Sequence, residues 1–142
     1  MLGRLYESQN CSASRALELV GERWSLLILR DAMFGGLTRF SQFQKSLGVA
    51  TNVLSKRLED FVADGLMERR QEPGEQAEYV LTRKGLELLP TIVALTEWGD
   101  KWVRPGPVSF RDSSGNKPVE LQLRRTDGGP KLDVADIVTV LR

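Results

Sequence analysis

Glycines cut the first 65 residues into pieces that are helical in period yet each too short to stand alone. Gly21, the Gly35-Gly36 pair, Gly48 and Gly65 each follow a stretch with apolar residues three and four apart. The first, "SASRALELVG", carries Ala16, Leu17, Leu19 and Val20, and "ERWSLLILRDAMFG" carries Trp24, Leu27, Ile28 and Ala32. In "LTRFSQFQKSLG", Thr38 is the expected N-cap and Phe40, Phe43 and Leu47 form the stripe. A fourth helix is predicted from Thr51, as its cap, to Asp64, with Leu54, Leu58, Phe61 and Val62 facing inward. Helices this short are marginal in water. The four must therefore bury their stripes against one another.

Past Gly65 the period changes. "LMERRQ" and "EYVLTR" read as short strands around "EPGEQA", where Pro73-Gly74 signals a turn, so a hairpin is predicted. The pattern is helical again through "TRKGLELLPTIVALTEWGDKWV", with Pro90 expected to bend the helix rather than end it. Two apolar stripes run along this segment: Leu88, Ile92, Leu95 and Trp102 on one, Leu86, Leu89, Val93 and Trp98 on the other. A helix apolar over most of its circumference needs cover on several sides. A chain of 142 residues has little left to provide it, so this helix is expected to pack on its copy in a second subunit through Leu88, Ile92, Leu95, Trp98 and Trp102. "RPGP" at 104–107 marks a break, and "VSF", "VELQLRR" and "DIVTVLR" beyond it read as strands separated by turns. The expected organisation is a domain over 1–103 followed by a strand-rich extension over 104–142.

Several function classes fall away on residue counts. Cys11 is the single cysteine and histidine is absent, which excludes an intramolecular disulfide, multi-ligand Cys/His zinc sites, and Cys-His or Ser-His-Asp nucleophile systems. No enzyme activity, metal or cofactor is expected. No stretch approaches the roughly 20 apolar residues of a membrane span, and the N-terminal residues lack the apolar run of a secretory signal. A soluble, cytoplasmic protein without membrane partners is the expectation. The net charge of +1 supplies no global attraction for nucleic acid, so any DNA surface must arise from local arrangement.

That arrangement is present in the order of elements. Three helices, a glycine-bounded fourth and a charged hairpin predict a mainly α chain with a small β wing, a winged helix-turn-helix. In such a fold the later helix of the pair enters the major groove and the hairpin lies along the DNA backbone. Asn52, Ser55, Lys56 and Glu59 recur at i, i+3, i+4 and i+7, opposite the inward stripe. Asn can bond adenine through two atoms, Ser can donate or accept, and Lys or Arg meets guanine or phosphate. Base-edge contacts are thus assigned to Asn52, Ser55 and Lys56, and phosphate contacts to Arg57, Arg69 and Arg70, with Thr51 and the free N–H groups of the helix start suiting a further phosphate. Arg83 and Lys84 flank the hairpin as well. Residues 50–84 hold six Lys/Arg against seven Asp/Glu, which places the phosphate contacts on the helix and the base of the wing and not at its acidic tip, Glu72 to Glu78.

The segments "CSASRALELVGERWSLLILRDAMFGGLTRFSQF", "TNVLSKRLEDFVADGLMERR" and "YVLTRKGLELLPTIVALTEWGDKW" resemble the HxlR-type transcriptional regulators, relatives of the MarR-type winged-helix proteins. The resemblance implies a homodimer that binds double-stranded DNA near its own operator, with N- and C-terminal helices forming the dimer interface; repression is the expected sense of regulation. Some members of that family sense oxidants or electrophiles through a cysteine just before the first helix, the place Cys11 holds. Two readings of Cys11 stand side by side, a sensor thiol favoured by the positive end of a helix and a packed interface cysteine with no sensing role. A small-molecule effector held near Trp24, Trp98 and Trp102 is a further reading, against which aromatic residues at helical spacing are ordinarily core. The competing function is a protein-interaction module that uses the winged-helix scaffold without DNA.

Overall fold

A computed structural model describes residues 6–142. Four helices open the chain: α1 (Ser12–Val20), α2 (Ser25–Phe34), α3 (Phe40–Leu47) and α4 (Thr51–Ala63). Gly21, Gly35 and Gly48 are the C-caps of the first three, each donating its N–H to a carbonyl of the preceding turn. At Gly48 the backbone is left-handed, with φ of 64°, which lets the chain reverse into α4 within three residues. Two caps shift by one position. Arg39, not Thr38, is the N-cap of α3, because the side chain of Gln42 reaches back to accept from the N–H groups of both residues. Ala50 is the N-cap of α4, so Thr51 is its first helical residue and makes no side-chain cap.

The hairpin forms as predicted. β1 (Met67–Arg70) pairs antiparallel with β2 (Glu78–Leu81), Met67 opposite Leu81 and Arg70 opposite Glu78. A third backbone segment joins it: the Tyr79 N–H donates to the Thr38 carbonyl at 2.7 Å and Arg39 bridges Glu78. This ties the wing to the start of α3.

After the hairpin, α5 (Arg83–Leu86) and α6 (Leu89–Trp102) replace the single bent helix expected from the periodicity. Pro90 falls in the first turn of α6, where its missing N–H costs nothing, and the chain breaks just before it. Thr82 caps α5 by accepting from the Gly85 N–H, while its hydroxyl donates to the Gly65 carbonyl at 2.6 Å.

The core gathers Ile28 and Leu29 of α2, Phe43 of α3, Leu54, Leu58 and Phe61 of α4, and Leu66 and Met67 at the hairpin base, all buried. Each such side chain contributes about 1.5–3 kcal/mol by leaving water. Ile92 joins this cluster and Leu88 packs against it. Two residues expected at a dimer seam therefore serve the core of their own chain instead.

The chain divides into two compact units, one ending at Ile92 and the other spanning Val93–Arg142. In the second unit the expected strand-rich extension is not formed. Residues 104–142 hold no strand; their regular features are one isolated bridge, Arg111 with Pro118, and a 3-10 turn at Val134–Asp136. The β-branched residues of "DIVTVLR" favour extended backbone, but no neighbouring strand pairs with them, and Val138, Val140 and Leu141 are exposed.

Candidate nucleic-acid interface

The amphipathic design of α4 is realised side by side on one helix. Leu54, Leu58 and Phe61 are buried, while Thr51, Asn52, Ser55, Lys56 and Glu59 are exposed. The exposed set combines a bidentate amide, a hydroxyl and an ammonium, which is the donor and acceptor mixture that base edges in a major groove present for reading. The first N–H groups of the helix have no intrahelical acceptor and no side-chain cap at Ala50. An anion approaching that end meets free donors and the positive end of the helix dipole. Lys56 leans along the helix, its Nζ 3.1 Å from the Asp60 carboxylate, with its own side chain half exposed.

Arg57 departs from the sequence expectation. It is only 8% exposed, and its guanidinium pairs with Glu22 from the turn between α1 and α2 and lies 3.1 Å from Asp60 on the next turn of α4. The assignment of Arg57 to phosphate is corrected accordingly, because its charge is spent inside the protein on two carboxylates. Counting outward-facing charge along the helix missed this. The signal that could have found it was position, since Arg57 precedes Leu58 and follows Leu54 by three, on the edge of the buried stripe.

On the wing, Arg69 and Arg70 are exposed, with Arg69 hydrogen-bonded to Gln71 at 2.8 Å and Arg70 to Glu68 at 3.0 Å. Strand alternation places Arg69 on the side of Met67 and Arg70 on the side of Glu68, so the two leave the strand on opposite faces of the wing. Lys84, exposed, donates to the Asp64 carbonyl at 2.6 Å and closes the C-terminal end of α4, and Arg83 pairs with Glu87. Arg39, which the sequence reading passed over, is exposed beside the wing and lies 3.7 Å from Glu78. Asp31 is buried and holds α2 to α3, accepting from Arg30 at 2.6 Å and from the Ser46 hydroxyl at 2.6 Å.

Elsewhere, Cys11 is exposed at the N-cap of α1. Backbone N–H groups of Ser14 and Ala13 bring its thiol pKa below the ordinary value. Leu95, Trp98 and Trp102, at i, i+3 and i+7 on α6, are 53%, 60% and 66% exposed. Trp24 packs against the core, so the three tryptophans do not share one environment. No helix among the described residues is long and apolar enough to cross a membrane.

The chain is similar to known proteins. A transcriptional regulator of the helix-turn-helix type from Mycobacterium tuberculosis, Rv3095, is 40% identical over 132 residues, covering 89% of this chain and 82% of its own. The solved structure of a candidate transcription factor, PA1607, superposes with a TM-score of 0.81 at 39% identity, over 95% of this chain and 97% of that one. A redox regulator, HypR, solved in its reduced form, is similar over 63% of this chain and 91% of its own, with a TM-score of 0.57 and 26% identity. Residues 19–107 match the HxlR-like helix-turn-helix family. With that match over most of the chain, and with a buried α4 stripe backing an exposed polar face beside a two-stranded wing, the chain belongs to the HxlR-like family of DNA-binding winged helix-turn-helix transcriptional regulators.

Proposed function

We propose that the protein is a homodimeric repressor that reads a near-palindromic operator in the cytoplasm. Two copies of α4 enter successive major grooves about 34 Å apart, as the two-fold geometry of such dimers requires. Asn52, Ser55 and Lys56 contact base edges, and Thr51, the N-terminal donors of α4, Arg69 and Arg70 contact phosphate from the helix start and from either side of the wing. The observation that carries this reading is the polar exposed face of α4, held outward by Leu54, Leu58 and Phe61 at its back. The exposed Leu95, Trp98 and Trp102 support the second copy, because three large apolar side chains on one helix face are costly to leave in water.

Selection of bound duplexes from a random pool, followed by titration at several salt concentrations, tests the proposal directly. The expected result is an enriched inverted repeat bound with an affinity that falls steeply with salt. Enrichment of no sequence, with no salt-dependent binding, leaves the protein-interaction reading in its place.

Regulation of that binding is assigned to an oxidant or electrophile at Cys11, supported by its exposure and its lowered pKa and by the likeness to HypR, or to a small effector. No second cysteine exists in the chain, so sensing at Cys11 ends in an intersubunit disulfide or a small-thiol adduct when an oxidant acts, and in alkylation when an electrophile does. Oxidant that lowers affinity in the wild type and not in Cys11→Ser supports the sensor. Equal affinity before and after oxidation removes it.

A further inference from the structure

The apolar stripe of α4 holds the helix to the core by close packing. Leu54, Leu58 and Phe61 make non-directional contacts, which a small roll of the helix would preserve in large part. A buried ion pair between α4 and a neighbouring turn is different, because displacing either charge leaves the other buried and uncompensated. Arg57 is placed to impose that constraint. It is nine-tenths buried, its Nη1 meets the Glu22 carboxylate on the turn between α1 and α2, and its Nη2 lies 3.1 Å from Asp60. Asp60 in turn holds Lys56 Nζ at 3.1 Å, so one chain of charge runs from the α1–α2 turn through the helix to its exposed face. Buried ion pairs add little net stability when compared with apolar packing, and their best-attested use is to specify register.

We propose that Glu22 and Arg57 are positioning residues that set the rotation of α4 and thereby the discrimination between DNA sequences, without touching DNA themselves. The inference rests on the DNA-binding reading above. Base-edge recognition depends on placing Asn52 and Ser55 accurately, whereas attraction to the phosphate backbone tolerates a displaced helix. Loss of the clamp should therefore separate specific from non-specific binding, which neither a phosphate contact nor a purely structural residue would do.

The test uses the full chain and two probes, a duplex enriched by the wild type from a random pool and a scrambled duplex of the same composition. Glu22→Gln removes the charge from a residue off the exposed face of α4. Arg57→Lys keeps the charge but loses the planar fork. For both variants the affinity ratio between the two probes should fall about tenfold, the size of one good base contact, while affinity for the scrambled duplex stays at the wild-type value and thermal unfolding remains cooperative. An unchanged ratio in folded Glu22→Gln overturns the proposal. So does an equal loss on both probes, which would return Arg57 to a phosphate role, and so does unfolding of both variants at the assay temperature, which would make the pair a structural tie only. If the wild type itself binds neither probe in a salt-dependent manner, the DNA-binding reading fails first and the clamp falls with it.

Discussion

Lys56 and Arg57 are neighbours in sequence with opposite fates, and the difference follows from helical geometry. One residue is a rotation of about 100°, which carries the side chain from the outward face at Lys56 to the margin of the buried stripe at Arg57. Lys56→Ala should weaken binding of the selected duplex by about tenfold and relax the preference at the base pair it meets, as expected for one lost base contact. Its melting temperature should hardly move, because the pair it forms with Asp60 is partly exposed. Unaltered affinity and sequence preference in the folded variant would remove Lys56 from the interface. Both residues are visible in the sequence as basic positions on one helix. Which of them is free to meet a ligand depends on Glu22, brought in from the α1–α2 turn, and no local pattern announces that meeting.

At the scale of elements, the short ones are held by close backbone approach. A Cβ at Gly85 would stand 2.2 Å from the Leu66 carbonyl oxygen, so the first turn of α5 can lie against the hairpin base only with glycine there. Gly85→Ala should destabilise the protein by about 1–3 kcal/mol through forced displacement of that backbone, seen as a lower midpoint in urea unfolding; a wild-type midpoint would show that the contact gives way freely. The turn at 112–117 offers a pH-dependent counterpart. The Asp112 carboxylate accepts from the Ser114 hydroxyl and from the N–H groups of Lys117 and Gly115, and these hold its pKa down at about 2. A depressed carboxylate stabilises the folded turn fully above its ordinary value near 3.8 and loses that contribution as pH falls through about 2. NMR titration should show the Asp112 carboxyl and the Gly115 and Lys117 amides shifting together near pH 2, in a protein still folded there. A midpoint near that of a free aspartate would mean that the turn does not persist in solution. The sequence shows "RDSSGNK" as a turn, and the structure adds which carboxylate organises it.

For the whole molecule, the unsettled surface is the run of Leu95, Trp98 and Trp102. Trp98→Glu would place a charge in the middle of that stripe, and the expected outcome is a shift from dimer to monomer in light scattering, with helix content kept and affinity for an inverted repeat lost. A dimer that survives the change would move the interface elsewhere. The residues 88 and 92, expected beside these three, belong to the intramolecular core, because a periodicity shows that a position is buried and not which partner buries it. By itself the sequence determined the four glycine-bounded helices, the hairpin and the exposed polar face of α4, since caps, stops and apolar period are local properties written in consecutive residues. It overestimated the strands of the tail, because β-branched residues favour extension but a sheet needs a neighbour at a distant position in the chain. Tertiary structure alone decided that Arg57 turns inward, that Lys84 closes α4, that the start of α3 pairs with the wing and that Ile92 joins the core. Each of these joins residues far apart in sequence, and their pairing is set by packing that emerges only once the helices have docked.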